Sequence, residues 1–448
     1  VGSAVVLNVR TGEVLAMTSI PTLNPDDWKG NISPEKALYY FPQGETYNPM
    51  EPGAALNRAI QATYPPGSTF KPITGMAALE SGVEPVDYSV NCGGRYWLAP
   101  YIKCIGVHGH RNYYSAMAVS CNTYFQEMGR RAGQELISHV GQQFGLGQRT
   151  GVDLPHESKG LLPTAEWKKE LNALLIDSKY DGLRQDLEER YSRLLKEAAT
   201  EEERSKLERQ RDSEKAQLEA QYKIDYNFHT TWQPFDTYNV SIGQGSNNFT
   251  VMQLANFVAT VANGGSLMEP HILKKIVSPD GKTIKEVKPK VKHQADVAPR
   301  TIAETKRAML AVTEPGGTAH YLFYHFPPEI QVAAKTGTAQ TGRRGDDELK
   351  EFHGVFIAFA PFDNPEIAFA GVVEYGHSGG GSAGLVCRDV FEHYFGIKDH
   401  LAEEGTEAEV DGNNTGEEVS TATTQEVNHE NPGIENTLPV VSNQTDEP

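Results

Sequence analysis

The stretch Tyr64-Pro65-Pro66-Gly67-Ser68-Thr69-Phe70-Lys71-Pro72 decides how this chain is read. Two prolines and a glycine hold the backbone out of helix up to Ser68, and Pro72 is tolerated only in the first turn of a helix. Ser68 is therefore expected at a helix start with Lys71 one turn on, so that hydroxyl and amine share a face. In a partly desolvated cleft, a lysine against a hydroxyl can lose its proton and act as a base. The free N–H groups of the helix start favour negative charge on an attacked oxygen. Taken alone, the spacing more often marks a capping serine followed by a surface lysine.

Two further stretches change that weighing. Ser120-Cys121-Asn122 lies 52 residues after Ser68, and Lys335-Thr336-Gly337-Thr338 lies 267 after it, at the end of a predicted strand. The three motifs in this order form a signature of serine acyl transfer. Lys335 offers fixed positive charge, Thr336 and Thr338 offer hydroxyls for a carboxylate, and Gly337 is expected to admit a substrate backbone.

Outward from these motifs the chain runs 448 residues from Val1, a length that suggests about three structural units and reads as a fragment. At 38% hydrophobic and 22% charged it can build a large core. No stretch approaches the roughly 18 apolar residues of a membrane span, and the start lacks the regions of a signal peptide, so any anchor is expected upstream. Lys plus Arg is 41 against 59 for Asp plus Glu, a formal charge of -18, which argues against nucleic acid. Residues 399–448 hold 13 acidic residues and no Lys or Arg, and are expected to be a disordered acidic tail. Four cysteines (Cys92, Cys104, Cys121 and Cys387) are too few for a disulfide scaffold.

Periodicity supplies the rest. Ser3 to Ile20 reads as a β-hairpin around Arg10-Thr11-Gly12-Glu13, and Asn24 to Asn57 as a long loop with short helical pieces. Between Thr164 and Asp225, Tyr180, Leu183, Leu187, Tyr191 and Leu194 recur like a coiled-coil seam, which predicts a solvated helical hairpin breaking near Ala199-Thr200-Glu201, with a dedicated partner-binding arm as the alternative. Val251 to Asn263 and Pro299 to Val312 read as helices, Gln331 to Lys335, His353 to Phe359 and Ile367 to Tyr375 as strands, and Arg388 to Phe395 as the beginning of a closing helix.

With YPPGSTFKP, SCNTYF, GVDLP (Gly151 to Pro155), SIGQG (Ser241 to Gly245), GGTA (Gly316 to Ala319) and KTGTAQ in this order, the chain resembles the class B penicillin-binding proteins, and among them the elongation-type penicillin-binding protein 2 family. The resemblance implies an α/β (α+β) fold of the serine β-lactamase/transpeptidase type: a central antiparallel sheet flanked by helices, a helical lobe, and the inserted hairpin. It divides the chain into a transpeptidase domain over 1–163 and 226–398, the hairpin at 164–225, and the tail. The function implied is a peptidoglycan D,D-transpeptidase that forms an acyl-enzyme on Ser68 during cell elongation. A D,D-carboxypeptidase or β-lactamase-type hydrolase and a non-catalytic β-lactam sensor are the alternatives. Lys71 would be the base, Ser120 the proton relay and Asn122 the holder of donor peptide and Lys71. Lys335, Thr336 and Thr338 would bind the terminal carboxylate, with Ser68 and Thr338 N–H groups as the oxyanion hole. Stem peptides ending in D-Ala-D-Ala, β-lactams and a membrane glycosyltransferase are the implied partners, on the extracytoplasmic face of the cell membrane. No cofactor is needed for catalysis.

Cys92, Cys104, His110 and Cys121 form a set of three thiols and an imidazole suited to tetrahedral zinc, with Cys121 inside the serine-asparagine motif. Some elongation-type relatives carry a metal in this region, and position favours His110 over His108. A Cys92–Cys104 disulfide and four unrelated buried residues are the competing readings.

Overall fold

The computed structural model describes residues 1–43, 53–82, 86–340 and 352–397. The expected acidic tail, 399–448, lies outside them. Five strands build the central sheet: β1 (Gly2–Asn8), β2 (Val14–Ile20), β3 (Ala333–Gln340), β4 (Phe352–Ala360) and β5 (Ile367–Val373). Their order is β2-β1-β5-β4-β3, antiparallel throughout, so among the described residues the first strand pairs with the last, Gly2 opposite Val373. The strand predicted to stop at Lys335 continues to Gln340, because Thr336 to Gln340 pair in register with Phe356 to Phe352. The lysine motif therefore lies within an edge strand.

Alternation along the strands gives the sheet two buried faces. Val5, Leu7, Val355, Ile357 and Phe359 join the core that holds α6 (Val251–Ala262), whose twelve residues are all buried. A helix apolar all round must sit inside. Thr250 and Gln253 close a capping box, the Gln253 amide reaches the carbonyls of Gln148 and Lys159, and the Asn256 amide donates to the Met268 carbonyl (3.1 Å). Val6, Phe356, Ala358 and Phe369 face the other core, with Phe391 and Cys387 of α7 (Ala383–Phe395).

The helical lobe includes α1 (Lys71–Glu80) and α2 (Asn122–Ala132), which pack on each other, and α5 (Pro234–Val240). From the lobe project α3 (Ala165–Glu197) and α4 (Glu201–Thr230), the second continuing past residue 225. The seam between them differs from the leucine pattern. Leu183 and Leu194 are exposed, and tyrosines reach across to carboxylates instead: Tyr180 to Asp225 (2.7 Å), Tyr191 to Glu214 (2.7 Å) and Tyr222 to Asp177 (2.8 Å). Arg184 adds a two-pronged bond to Glu219 (2.7 and 3.0 Å). A spacing of apolar bodies reads the same whether or not they carry a polar tip.

Candidate active site

Gly67–Phe70 forms a 3-10 turn that runs directly into α1, with Pro72 in the first turn of the helix. Ser68 thus sits on a short turn feeding the helix. The turn is held on several sides. Gly67 N–H donates to the Gly243 carbonyl (3.0 Å), and Tyr64 exchanges two backbone bonds with Phe249 (2.9 Å each). The Tyr64 hydroxyl donates to Glu374 (2.8 Å), which also pairs with the buried Arg58 (2.9 Å). Strand β3 passes close by. A Cβ on Gly337 would stand 2.8 Å from the Pro66 carbonyl oxygen and 2.8 Å from the Thr69 methyl. The glycine of the lysine motif therefore lets the strand and the turn that carries Ser68 touch.

Lys71 is fully buried. Its Nζ donates to the Ser120 carbonyl (2.6 Å), Ser120 Oγ (3.1 Å) and Asn122 Oδ1 (2.7 Å). Ser120 Oγ also accepts from Lys335 Nζ at 2.9 Å, so one hydroxyl lies between two buried amines. Burial lowers the Lys71 pKa to about 8, opposed by nearby Cys104 and Cys121. Burial first, and then the charge on Lys71, holds Lys335 well below its ordinary value. The backbone of Ser120 takes φ +55°, a sparsely populated conformation for a residue with a side chain. Asn122 opens α2, and its Nδ2 donates to the Lys103 carbonyl (3.2 Å).

These groups border a cleft of about 350 Å³ lined by Ser68, Ser120, Asn122, Thr336 and Thr338. The structure thus brings together the serine-lysine, serine-asparagine and lysine-threonine motifs. It adds residues that had no assigned part: Thr318, whose hydroxyl meets that of Thr336 (2.9 Å), together with Ile105, Tyr321 and the backbone of Gly379 and Gly380. The Gly379-Gly380-Gly381 run and the GGTA stretch were the sequence signals for the glycines, Thr318 and the adjacent Tyr321; Ile105 had none.

Beside the cleft, Cys92, Cys104, His108 and Cys121 offer ligand atoms that all lie within 4.8 Å of one another. The imidazole is that of His108 and not of His110. Gly109, at φ +67°, turns the chain between the two histidines, and His110 is exposed on the short strand Gly109–Arg111, opposite Asn91. All four cysteines are free thiols, so the Cys92–Cys104 disulfide is not formed. His108 Nδ1 stands 3.7 Å from Cys92 Sγ and 3.4 Å from Cys104 Sγ, and the sulfurs of Cys104 and Cys121 are 3.9 Å apart. Hydrogen bonding from Cys121 and from backbone N–H groups holds the Cys104 thiol far below its usual range. The Asn122 N–H, in the first turn of α2, donates to Cys104 Sγ (3.2 Å) and couples the cluster to the segment that carries Ser120 and Asn122. Cys387 stands apart, buried in α7.

Comparison with known proteins places this geometry. Peptidoglycan D,D-transpeptidase MrdA of Acinetobacter baumannii is 31% identical over 408 residues, covering 88% of this chain and 50% of that protein. The chain spans about half the length of the curated relatives it matches. The crystal structure of Pseudomonas aeruginosa PBP2 in complex with WCK 5153 superposes with TM-score 0.63 at 26% identity, over 89% of this chain and 74% of the other. A protein from a peptidoglycan synthase complex, described for its coordination of polymerization and crosslinking, superposes with TM-score 0.65 at 26% identity, over 89% and 56%. The penicillin binding protein transpeptidase domain model matches residues 2–392, and with motifs, fold and family model in agreement the chain belongs to the penicillin-binding protein transpeptidase family.

Proposed function

We propose that this chain is the cross-linking portion of an elongation-type peptidoglycan synthase, acting through an acyl-enzyme on Ser68. The observation that carries the reading is Ser120 Oγ held between the amines of Lys71 and Lys335. Lys71, its charge disfavoured by burial, takes the Ser68 proton as the hydroxyl attacks the carbonyl between the last two D-alanines of a stem peptide. Ser120 passes a proton to the departing D-alanine. Lys335, Thr336 and Thr338 hold the terminal carboxylate, and N–H groups of Ser68 and Thr338 receive the oxyanion. The amine of a second stem peptide then displaces Ser68, and a β-lactam is trapped at the same oxygen. A hydrolase needs a base for its deacylating water, and among the described residues lining the cleft none is a carboxylate. Mass spectrometry after incubation with penicillin tests the reading. A single acyl adduct on the peptide holding Ser68, absent from Ser68→Ala and persisting for hours, is expected; rapid loss of the adduct would make the enzyme a β-lactamase.

The likeness to a protein of a synthase complex that couples polymerization to crosslinking supports a membrane glycosyltransferase as partner and the extracytoplasmic face of the membrane as the site of action. Among the described residues no helix is long and apolar enough to cross a membrane.

We further propose that Cys92, Cys104, His108 and Cys121 hold one structural zinc. Tetrahedral zinc with thiolate bonds of about 2.3 Å sets sulfur–sulfur edges near about 3.8 Å, and the Cys104–Cys121 separation is 3.9 Å. Bound metal supplies a cross-link and no step of the chemistry. Protein purified without added metal should carry about one zinc per chain, with four titratable thiols after unfolding. A metal-free protein with the same thiols and an intact fold would remove the assignment.

A further inference from the structure

The segment between Cys92 and His108 is a ribbon whose tip no other described part of the molecule covers. Tyr96 N–H donates to Ile102 O (2.9 Å) and Cys104 N–H to Gly94 O (2.9 Å), with Arg95 opposite Lys103, so residues 94–104 form an ordered hairpin. Its root is fixed on the inner side: Tyr96 is buried, bonded to Glu127 (2.7 Å) and packed edge-on against Tyr238 of α5. Its outer side is apolar and aromatic. Trp97 is 48% exposed, Tyr101 57% and Ile105 67%.

Two observations say what this surface is for. It is continuous with the cleft, because Ile105 lines the pocket that holds Ser68 and Asn122 grips the Lys103 carbonyl. It is also cationic in an acidic protein: residues 92–111 contain Arg95, Lys103 and Arg111 and no Asp or Glu, whereas the whole chain carries -18. Solvent-facing aromatic rings offer flat apolar area at low conformational cost, and exposed Arg and Lys beside them attract carboxylates. A polymer that alternates sugar rings with carboxylate-bearing peptides matches both halves. A hydrophobic protein partner matches only the first.

We propose that the ribbon at residues 94–107 binds the glycopeptide strand whose stem peptide enters the cleft, with Trp97 and Tyr101 against sugar rings and Arg95 and Lys103 facing carboxylates. This deepens the transpeptidase reading and rests on it. A small β-lactam occupies only the cleft, which neither Trp97 nor Tyr101 lines, so it reports on the chemistry and is blind to those two rings. The test therefore has two arms. In the first, Ser68→Ala protein, which cannot turn over, is titrated with soluble uncross-linked peptidoglycan strands. Adding Trp97→Ala and Tyr101→Ala should weaken binding at least about tenfold, and adding Arg95→Gln alone should reduce its salt dependence. In the second, penicillin acylation of the Trp97→Ala/Tyr101→Ala protein with Ser68 intact should stay within about twofold of the parent rate, which also certifies its fold. Equal strand binding with and without the aromatic residues, or strand binding that survives while penicillin acylation falls, would overturn the proposal. Failure of the parent protein to be acylated by penicillin would count against the transpeptidase reading and leave the binding arm to decide this one.

Discussion

At Ser120 the chain combines strain and chemistry in one residue. Its φ of +55° costs on the order of 1–3 kcal/mol for a residue with a Cβ, and its Oγ lies between Lys71 and Lys335. The two contributions separate by substitution. Ser120→Gly removes hydroxyl and strain together, whereas Ser120→Ala removes the hydroxyl alone. Both should lose about 10²-fold or more in penicillin acylation, while the glycine variant melts at a higher temperature than the alanine variant; equal melting would mean that the surroundings impose no strain. Lys71 gives a second prediction. Burial pulls its pKa down to about 8, so the neutral base dominates only above that pH. Acylation should climb by about tenfold per pH unit below the pKa and level off above it. A profile flat from pH 5 to 10, or near-normal acylation in Lys71→Ala, would take the base role away from Lys71. These motif residues were legible in the sequence because proline, glycine and order along the chain marked them. His108 was not, because which of two histidines faces the thiols depends on a backbone turn at Gly109 that spacing does not encode.

Among the elements, the contact between β3 and the nucleophile turn carries the most geometry per residue. Gly337→Ala places a methyl 2.8 Å from the Pro66 carbonyl, and overpacking of this kind costs about 1–3 kcal/mol. Slower acylation with a lowered melting temperature is expected; an unchanged rate would show that strand and turn shift together without harm. The helical hairpin behaves differently. Trp167, Lys168 and Leu171 at its base line a small cavity with Trp232 and Asp236, and Lys168 pairs with Asp236 (2.5 Å). Beyond the base its tyrosines and ion pairs are satisfied between its own two helices. Replacing residues 175–220 with a short Gly/Ser linker should therefore leave penicillin acylation unchanged, and a loss of labelling would show that the distal hairpin supports the lobe. Helix periodicity announced the hairpin, yet the seam's polar partners stayed hidden because they lie on the opposite helix. The extent of β3 was hidden for a similar reason: only pairing with β4 makes Thr336 to Gln340 a strand.

For the whole molecule, a buried ion pair ties the segment before the Ser68 turn to the end of the central sheet. Arg58 precedes the nucleophile turn, Glu374 follows β5, and their side chains are 1% and 7% exposed. Glu374→Ala leaves a buried guanidinium without its carboxylate, which costs about 3–5 kcal/mol. The expected readout is a large drop in melting temperature, and a drop of only a degree or two would show that Arg58 finds another acceptor. The antiparallel sheet between helices was foreseeable only through the resemblance, since strand order depends on contacts between residues far apart in sequence. That order has a consequence for how the protein is made. Gly2 pairs with Val373, so during synthesis β1 finds its inner neighbour only after more than three hundred further residues have been added. Until then one edge of the opening hairpin stays open, and long-range pairing of this kind is slow and exposed to misassociation. The nucleophile turn and its lysine-bearing strand meet on the same schedule. A chain truncated between Ser68 and β5 carries the serine but cannot assemble the complete sheet around it, so such unfinished copies lack the finished cleft.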